Sequence, residues 1–178
     1  MNTTLSHSKQ ASRRICWPVP VFSQATENLC WEACARMMWH WRHRNQSAAA
    51  REAGYRDAAG SYFLGLDRGL SHNSMNAFYQ RLGMRHVPNP DRSGLSLRVR
   101  LRSGPVIFTS TGRASGHAMV ATCYNPNTNT YRIINPCRTQ NVTFGDNGTS
   151  GSSTCTAGSV NLDAANIDAR LGGYIWHW

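Results

Sequence analysis

Lysine is nearly missing from this sequence of 178 residues. Lys9 is the only one, although lysine and arginine together number 19 against 9 acidic residues, for a formal net charge of +10. Such a charge is typical of proteins that bind nucleic acid. The arginines are scattered along the chain, however, and no nucleic-acid-binding motif accompanies them. Specific nucleic acid is therefore not an expected partner, and a basic nucleic-acid-binding domain stays as the non-enzymatic alternative.

Long apolar runs are missing as well. No stretch reaches the roughly 18 apolar residues that a membrane-spanning helix needs. Residues 1–14 are polar and lack the apolar segment of a secretory signal. We expect them to form a flexible leader, and residues 15–178 to form a single domain that acts as a monomer. Export is then expected to use a route without a signal peptide.

The spacing of apolar residues predicts helices first and antiparallel strands second, which is an α+β arrangement. Cys30, Met37 and Trp41 belong to a helical pattern from residue 28 to about residue 44, which Thr26 or Asn28 could cap. The helical half is expected to cover about residues 28–103 and the sheet half about residues 104–178. Further helices are predicted at 47–57, 74–82 and 95–102, and an extended lead-in at 16–22.

The sheet half begins with a buried apolar strand at 105–109. Strands at 118–124 and 131–135 are expected to form a hairpin about the Asn-rich turn at 125–129. Residues 139–160 are predicted to be a long polar surface loop. A short helix at 161–170 and a terminal strand at 174–178 complete the prediction.

A candidate nucleophile lies at the start of the first helix. Cys30 follows Gln24 by six residues, and Trp31 comes directly after it. Backbone N–H groups and the positive dipole end of a helix favour a thiolate, so we expect a lowered pKa for Cys30. The Gln24 amide and the backbone N–H of Cys30 could donate to an oxyanion. Cys34 lies one turn later and is interpreted as a core residue.

A nucleophilic cysteine needs an imidazole partner that a third polar group orients. Gly116 and His117 open an apolar strand, and Asn135 ends the next strand. A hairpin that folds about Asn127 would bring His117 opposite about residue 137, close to Asn135. These positions predict a Cys30–His117–Asn135 triad.

These residues, in this order, resemble the papain-like cysteine peptidases. Within that clan the chain is most similar to the bacterial type III avirulence-effector cysteine proteases of plant pathogens, through VPVFSQ, CWEACARMM, LRSGPVIF, HAMVATCY and INPCR over roughly residues 16–138. Those effectors usually carry Asp where this chain has Asn135. The resemblance implies a papain-like fold. Trp31 and Gly116 are the candidate substrate-binding residues: Gly116 would let a substrate approach closely, and Trp31 is expected to pack over the site rather than to take part in the chemistry.

The resemblance also implies a secreted virulence factor, a thiol endopeptidase injected into the host cytosol that cleaves specific host proteins. A host activating factor is a further expected partner. The enzymatic alternative is a papain-like amidase or deamidase that acts as a toxin in a competing bacterium, on peptidoglycan or a protein amide. Neither mechanism needs a metal or an organic cofactor.

Two other cysteine arrangements are less informative. Cys30 and Cys34 with His40 and His43 have spacings that could suggest zinc, but on one helix the two pairs lie about 14 Å apart. We therefore expect no metal, and we interpret the two histidines as a solvated helix end.

Cys137 with Cys155 is the expected disulfide, because it would close the polar loop; a reducing cytosol would keep it open.

Overall fold

A seven-stranded antiparallel sheet forms the centre of the fold. The computed structural model describes residues 14–26, 28–60, 69–88, 94–110, 117–136, 140–141, 154–155, 158–168 and 171–178. Its helices are α1 (Cys30–Arg42), α2 (Ala48–Ala59), α3 (His72–Arg81), α4 (Gly94–Leu101) and α5 (Ala164–Asp168). Its strands are β1 (Ile15–Cys16), β2 (Arg85–Pro88), β3 (Val106–Ser110), β4 (His117–Asn125), β5 (Thr130–Asn135), β6 (Gln140–Asn141), β7 (Thr154–Cys155), β8 (Gly158–Asp163) and β9 (Leu171–His177).

The strands follow the order β2-β9-β3-β4-β5-β8, and β1 also pairs with β4. In β4, Ala121 faces Val106 at the start of β3, whereas Cys123 faces Cys16 of β1. The lead-in strand therefore continues along β4 beyond the point where β3 begins. β1 comes from the lead-in and β2 from the helical half of the chain, and yet both belong to the sheet.

Helices cover both faces of the sheet because its strands are apolar on both sides. On one face, α1, α2 and α3 pack against a cluster that includes Ala118, Val120 and Ile134. On the other face, α4 and α5 pack against a cluster that includes Met119 and Ile133. Adjacent strand residues thus point into different cores, as the two-residue period of a strand requires. The prediction of an α+β fold, with the first helix packed on an antiparallel sheet, is confirmed.

Serine caps explain where the second and third helices begin. The Oγ of Ser47 accepts from the backbone N–H of Ala50, and the Oγ of Ser71 accepts from that of Ser74. Each bond pairs one backbone donor that the first helical turn would leave unpaired. The third helix therefore starts at His72, two residues before its predicted start. The helix predicted at 95–102 is present as α4.

The prediction of one continuous loop over residues 139–160 is wrong at three places. β6 and β7 pair with each other, and β8 begins at Gly158. β8 pairs with β5 along its whole length, from Gly158 opposite Asn135 to Asp163 opposite Thr130. Backbone hydrogen bonds to a neighbouring strand stabilise this segment, and they do not require the large apolar side chains that the sequence lacks here.

None of the helices in the described part of the chain is long and apolar enough to span a membrane. The division into a leader and a single domain stays a prediction.

Candidate active site

The start of α1 carries Cys30 at a helix end without a side-chain cap. Leu29 occupies the capping position, and this residue makes no side-chain cap hydrogen bond. The expectation that Thr26 or Asn28 caps this helix is therefore wrong. Thr26 instead contributes its backbone carbonyl, which accepts from the N–H of Leu29 at 3.3 Å. The uncapped first turn leaves backbone N–H groups near the Cys30 thiol.

Burial dominates the electrostatics of Cys30, which is only 7% exposed. Desolvation raises the pKa of its thiol above the ordinary value, and the backbone N–H groups of Ala118, Trp31 and Cys30 itself oppose this shift. The expected lowering of the Cys30 pKa by the helix end is therefore wrong in direction: the sulfur is buried so deeply that losing water outweighs the nearby donors. The thiol consequently needs a base close by to become a nucleophile.

The β4–β5 hairpin has the register that the sequence suggests. Val120 faces Ile134, and Ala121 faces Ile133. Continuing that register brings the start of β4 beside the end of β5, where His117 Nε2 lies 2.7 Å from Asn135 Oδ1. An amide oxygen can only accept, so Nε2 carries the proton and donates. Asn135 is buried, 6% exposed, and this bond orients the imidazole.

The nucleophile helix meets the sheet next to His117. The backbone N–H of Ala118 donates to Cys30 Sγ at 3.5 Å. The sulfur therefore lies at the first residues of β4, although His117 is far from Cys30 in the sequence. In the tautomer whose Nε2 donates to Asn135, Nδ1 carries no hydrogen and is the basic nitrogen of the imidazole. The structure thus brings Cys30, His117 and Asn135 to one end of the sheet; their catalytic roles stay a prediction.

Gln24 is attached to the same end of the sheet. Its backbone N–H donates to the carbonyl of Pro136, directly after Asn135, and its side-chain Nε2 donates to the carbonyl of Thr26 at 2.8 Å. The residue is 5% exposed. Nε2 carries two hydrogens, so the bond to Thr26 orients the amide and leaves a second N–H. The oxyanion role of Gln24 stays a prediction.

Trp31 lies in the core, below the surface that a substrate could reach. It is 1% exposed and packs edge-to-face on Phe78, with 4.9 Å between ring centroids. Its backbone carbonyl accepts from the Tyr79 hydroxyl at 3.0 Å. The expected substrate contact of Trp31 is therefore not supported, because its ring is enclosed by helix α3. Gly116, the other expected substrate contact, lies outside the described residues.

Cys34 is fully buried, and burial raises the pKa of its thiol well above the ordinary value. It lacks the contact with β4 that Cys30 makes, in agreement with its interpretation as a core residue. Cys16 and Cys123 form a disulfide between β1 and β4. No sequence signal singled out this pair. Cys137 lies outside the described residues, so its pairing with Cys155 stays a prediction.

The interpretation of His40 as part of a solvated helix end is wrong. Its side chain is 7% exposed, its Nε2 lies 3.1 Å from Glu52 Oε2, and its ring packs edge-to-face on Phe22. Helix α2 and the lead-in cover this side of α1, which the sequence pattern of α1 alone does not reveal.

Among the residues that the structure describes, no three His, Cys, Asp or Glu side chains gather closely enough to hold a metal ion.

Two backbone groups near the candidate site were not anticipated from the sequence. The N–H of Ala118 contacts the nucleophile sulfur, and the carbonyl of Pro136 holds the backbone of Gln24. Any residue type can supply such groups, so no motif announces them. Only the hairpin register, which brings residues 118 and 136 to the same end of the sheet, could have suggested them.

Comparisons with known proteins bear on the fold and on the family. No curated protein matches the chain significantly. Among solved structures, the fold is similar to that of a double glycine motif protease from an AMS/PCAT transporter, crystallised in complex with the leader peptide. The TM-score is 0.54 at 15% identity, over 90% of this chain and 91% of that one. The family model of the papain-like cysteine protease AvrRpt2 matches residues 11–146. The chain belongs to the AvrRpt2 family of papain-like cysteine proteases.

Proposed function

We propose that this cysteine protease is an endopeptidase that uses Cys30 as the nucleophile, His117 as the acid and base, and Asn135 as the residue that orients His117. One observation carries the proposal. The Cys30 sulfur lies beside the first residues of β4, where the His117 imidazole is bonded to Asn135 at 2.7 Å. These contacts support the proposal, because thiol catalysis needs a base near the sulfur and a polar group that orients the base.

Acylation follows from this arrangement. His117 Nδ1 takes the proton from the Cys30 thiol, and the sulfur attacks the carbonyl carbon of the scissile peptide bond. The carbonyl oxygen becomes an oxyanion, which Gln24 and the backbone N–H of Cys30 stabilise. The His117 imidazolium then protonates the leaving amine as the C–N bond breaks. The product is a thioester on Cys30.

Deacylation reverses the proton transfers. His117 takes a proton from water, whose oxygen attacks the thioester carbonyl. The C–S bond breaks, the carboxylic acid product leaves, and the proton returns to the Cys30 sulfur. Burial raises the pKa of that thiol, so the thiol stays protonated unless a base accepts its proton. In the proposed mechanism, His117 is that base.

We further propose that the substrate is a host protein and that the chain is a virulence effector, delivered through type III secretion into the host cytosol. Membership in the AvrRpt2 family supports this reading. The structural neighbour is a protease bound to a leader peptide, which supports an extended peptide segment as the form of the substrate. A host activating factor is part of the proposal. Delivery into a competing bacterium is the alternative.

The test compares protein N-termini in a host lysate treated with wild type, Cys30→Ala or Cys34→Ala. We expect new N-termini with wild type and with Cys34→Ala, since Cys34 is a fully buried core residue that the proposed mechanism does not use, and none with Cys30→Ala. Circular dichroism should show that both variants fold. Equal loss of cleavage in both variants would refute Cys30 as the nucleophile. Deamidated side chains without new N-termini would assign the amidase alternative instead.

A further inference from the structure

A cavity of about 330 Å³ opens at the end of the sheet where the β4–β5 hairpin turns. Its lining includes Arg14, Arg132, Asn125, Thr130 and Asn161, and none of the described lining residues is a carboxylate. It lies far from the candidate active site. The lining residue Cys123 is six positions along β4 from His117, which at about 3.3 Å per residue is roughly 20 Å.

The strand register brings these polar side chains together. Arg132 in β5 faces Cys123 in β4 on one side and Asn161 in β8 on the other. Asn125 faces Thr130 two residues further along the same strands, so their side chains lie on the same face as Arg132. The face is built from four neighbouring strands because β1 joins β4 beside them.

Arg14 reaches the cavity through β1. Cys16 faces Cys123 in the strand pairing and is bonded to it as a disulfide. This pairing places Arg14 so that its Nε donates to Cys123 Sγ at 3.3 Å. The two terminal nitrogens of Arg14 carry further N–H donors. Two guanidinium groups, from β5 and from the residue before β1, thus share one cavity.

The hydrogen-bonding groups of the cavity are predominantly donors. Arg132 uses one terminal nitrogen on Ser159 Oγ at 3.0 Å and keeps its other N–H groups. Asn125 Oδ1 accepts from the backbone N–H of Asn127, which leaves its Nδ2 as a donor. Within the described residues, no carboxylate lies within ion-pair distance of Arg14 or Arg132. Two like charges at one cavity repel each other, and a bound anion would relieve that repulsion.

We propose that this cavity binds a small anion that carries phosphate groups. A guanidinium matches the geometry of two phosphate oxygens, and two guanidinium groups suit an ion with more than one negative charge. The Asn125 amide can donate to a remaining oxygen. The hydroxyls of Thr128 and Thr130 lie 2.8 Å apart and share one hydrogen bond, so one of the two keeps its hydrogen for the anion. The site is independent of the proposed protease mechanism, because neither Cys30 nor His117 belongs to it.

The test titrates pyrophosphate into the full chain by isothermal titration calorimetry at about 0.15 M salt. We expect saturable binding by wild type, weakened about ten-fold or more by Arg14→Gln and by Arg132→Gln, since each removes charge-assisted hydrogen bonds. The matched control is Arg85→Gln, which removes one positive charge from the exposed residue Arg85 of β2, the strand at the opposite edge of the sheet. It should bind within about two-fold of wild type.

Circular dichroism should show that the three variants fold alike. Equally weakened pyrophosphate binding in all three variants would overturn the proposal, because it would show that binding depends on the net charge of the protein and not on this cavity. Heat that never saturates below about 10 mM pyrophosphate would overturn it as well. Flotation with phosphatidic acid vesicles separates two sources of the phosphate. If wild type floats with the vesicles and Arg14→Gln and Arg132→Gln do not, the ligand of the cavity is a lipid headgroup. If wild type binds pyrophosphate but does not float, the ligand is a free anion.

Discussion

The disulfide between Cys16 and Cys123 allows a prediction with a magnitude. The bond joins residues 107 positions apart, and it ties the lead-in to the middle of the sheet. In the chain-entropy treatment, a cross-link that closes a loop of about 100 residues stabilises the folded state by about 4.7 kcal/mol at 25 °C. Domains unfold at a cost of only about 5–15 kcal/mol, so the bond would supply a large share of the stability.

The measurement is urea unfolding of the wild type with and without reductant. With a urea dependence of about 2 kcal/mol per M, reduction should lower the midpoint by about 2 M. Reduced wild type keeps all its side-chain atoms, so the difference isolates the cross-link from packing. The control is the double variant Cys16→Ala/Cys123→Ala, whose midpoint should not respond to reductant. A response there would point to another disulfide.

Two results would refute this reasoning. Equal midpoints for the oxidised and the reduced protein would show that the bond does not restrict the unfolded chain. Alkylation of Cys16 and Cys123 without prior reduction, read by mass spectrometry, would show that the pair is not bonded. The outcome also bears on the proposed place of action, because a reducing cytosol opens such bonds. An effector that works there must stay folded on its packing alone.

Two further predictions concern the candidate triad. Iodoacetamide should alkylate Cys30 at pH 7 at least ten-fold faster in wild type than in His117→Ala, because burial raises the pKa of the lone thiol and leaves little thiolate at neutral pH. The two rates should converge as pH rises through that pKa, and superimposable pH profiles would show that His117 does not activate Cys30. Asn135→Ala should lower kcat about ten-fold or more, whereas Asn135→Asp keeps an acceptor for His117 Nε2 and should retain most activity. Wild-type kinetics in Asn135→Ala would contradict the orienting role.

Much of the fold follows from local sequence pattern. The helix over Cys30–Arg42, the capped second helix and the three central strands all lie within a few residues of their predicted bounds. Each has either a clear apolar period or an end that Ser, Gly or Pro defines. The hairpin of β4 and β5 has the predicted register where Val120 faces Ile134, whereas nearer the turn the pairing is shifted by one residue across an irregularity between Ala121 and Cys123. That register predicted the meeting of His117 and Asn135.

The missed features depend on contacts between distant parts of the chain. Six cysteines allow 15 pairings, and the pairing of Cys16 with Cys123 depends on where β1 joins the sheet. His40 is buried because α2 and the lead-in pack over it. The direction of the Cys30 pKa shift depends on how much of the sulfur the sheet covers. Periodicity within one element reports none of these contacts.

The lead-in shows how such distant contacts position the candidate site. Its first strand is held to β4 by the pairing of Cys16, and Trp17 Nε1 donates to the carbonyl of Leu101 at 2.7 Å. Its far end is held to the end of β5, where Pro136 accepts from the backbone of Gln24. The same two strands carry His117 and Asn135.

The candidate oxyanion donor and the candidate base are therefore positioned by one hairpin rather than by the nucleophile helix. A register slip of one residue between β4 and β5 would turn Asn135 to the opposite face of the sheet. It would also move Pro136, and with it the backbone of Gln24, relative to His117. The register of this hairpin thus sets the positions of Gln24, His117 and Asn135 in the proposed mechanism, and the pairing of Cys16 with Cys123 fixes the lead-in to the same β4 strand.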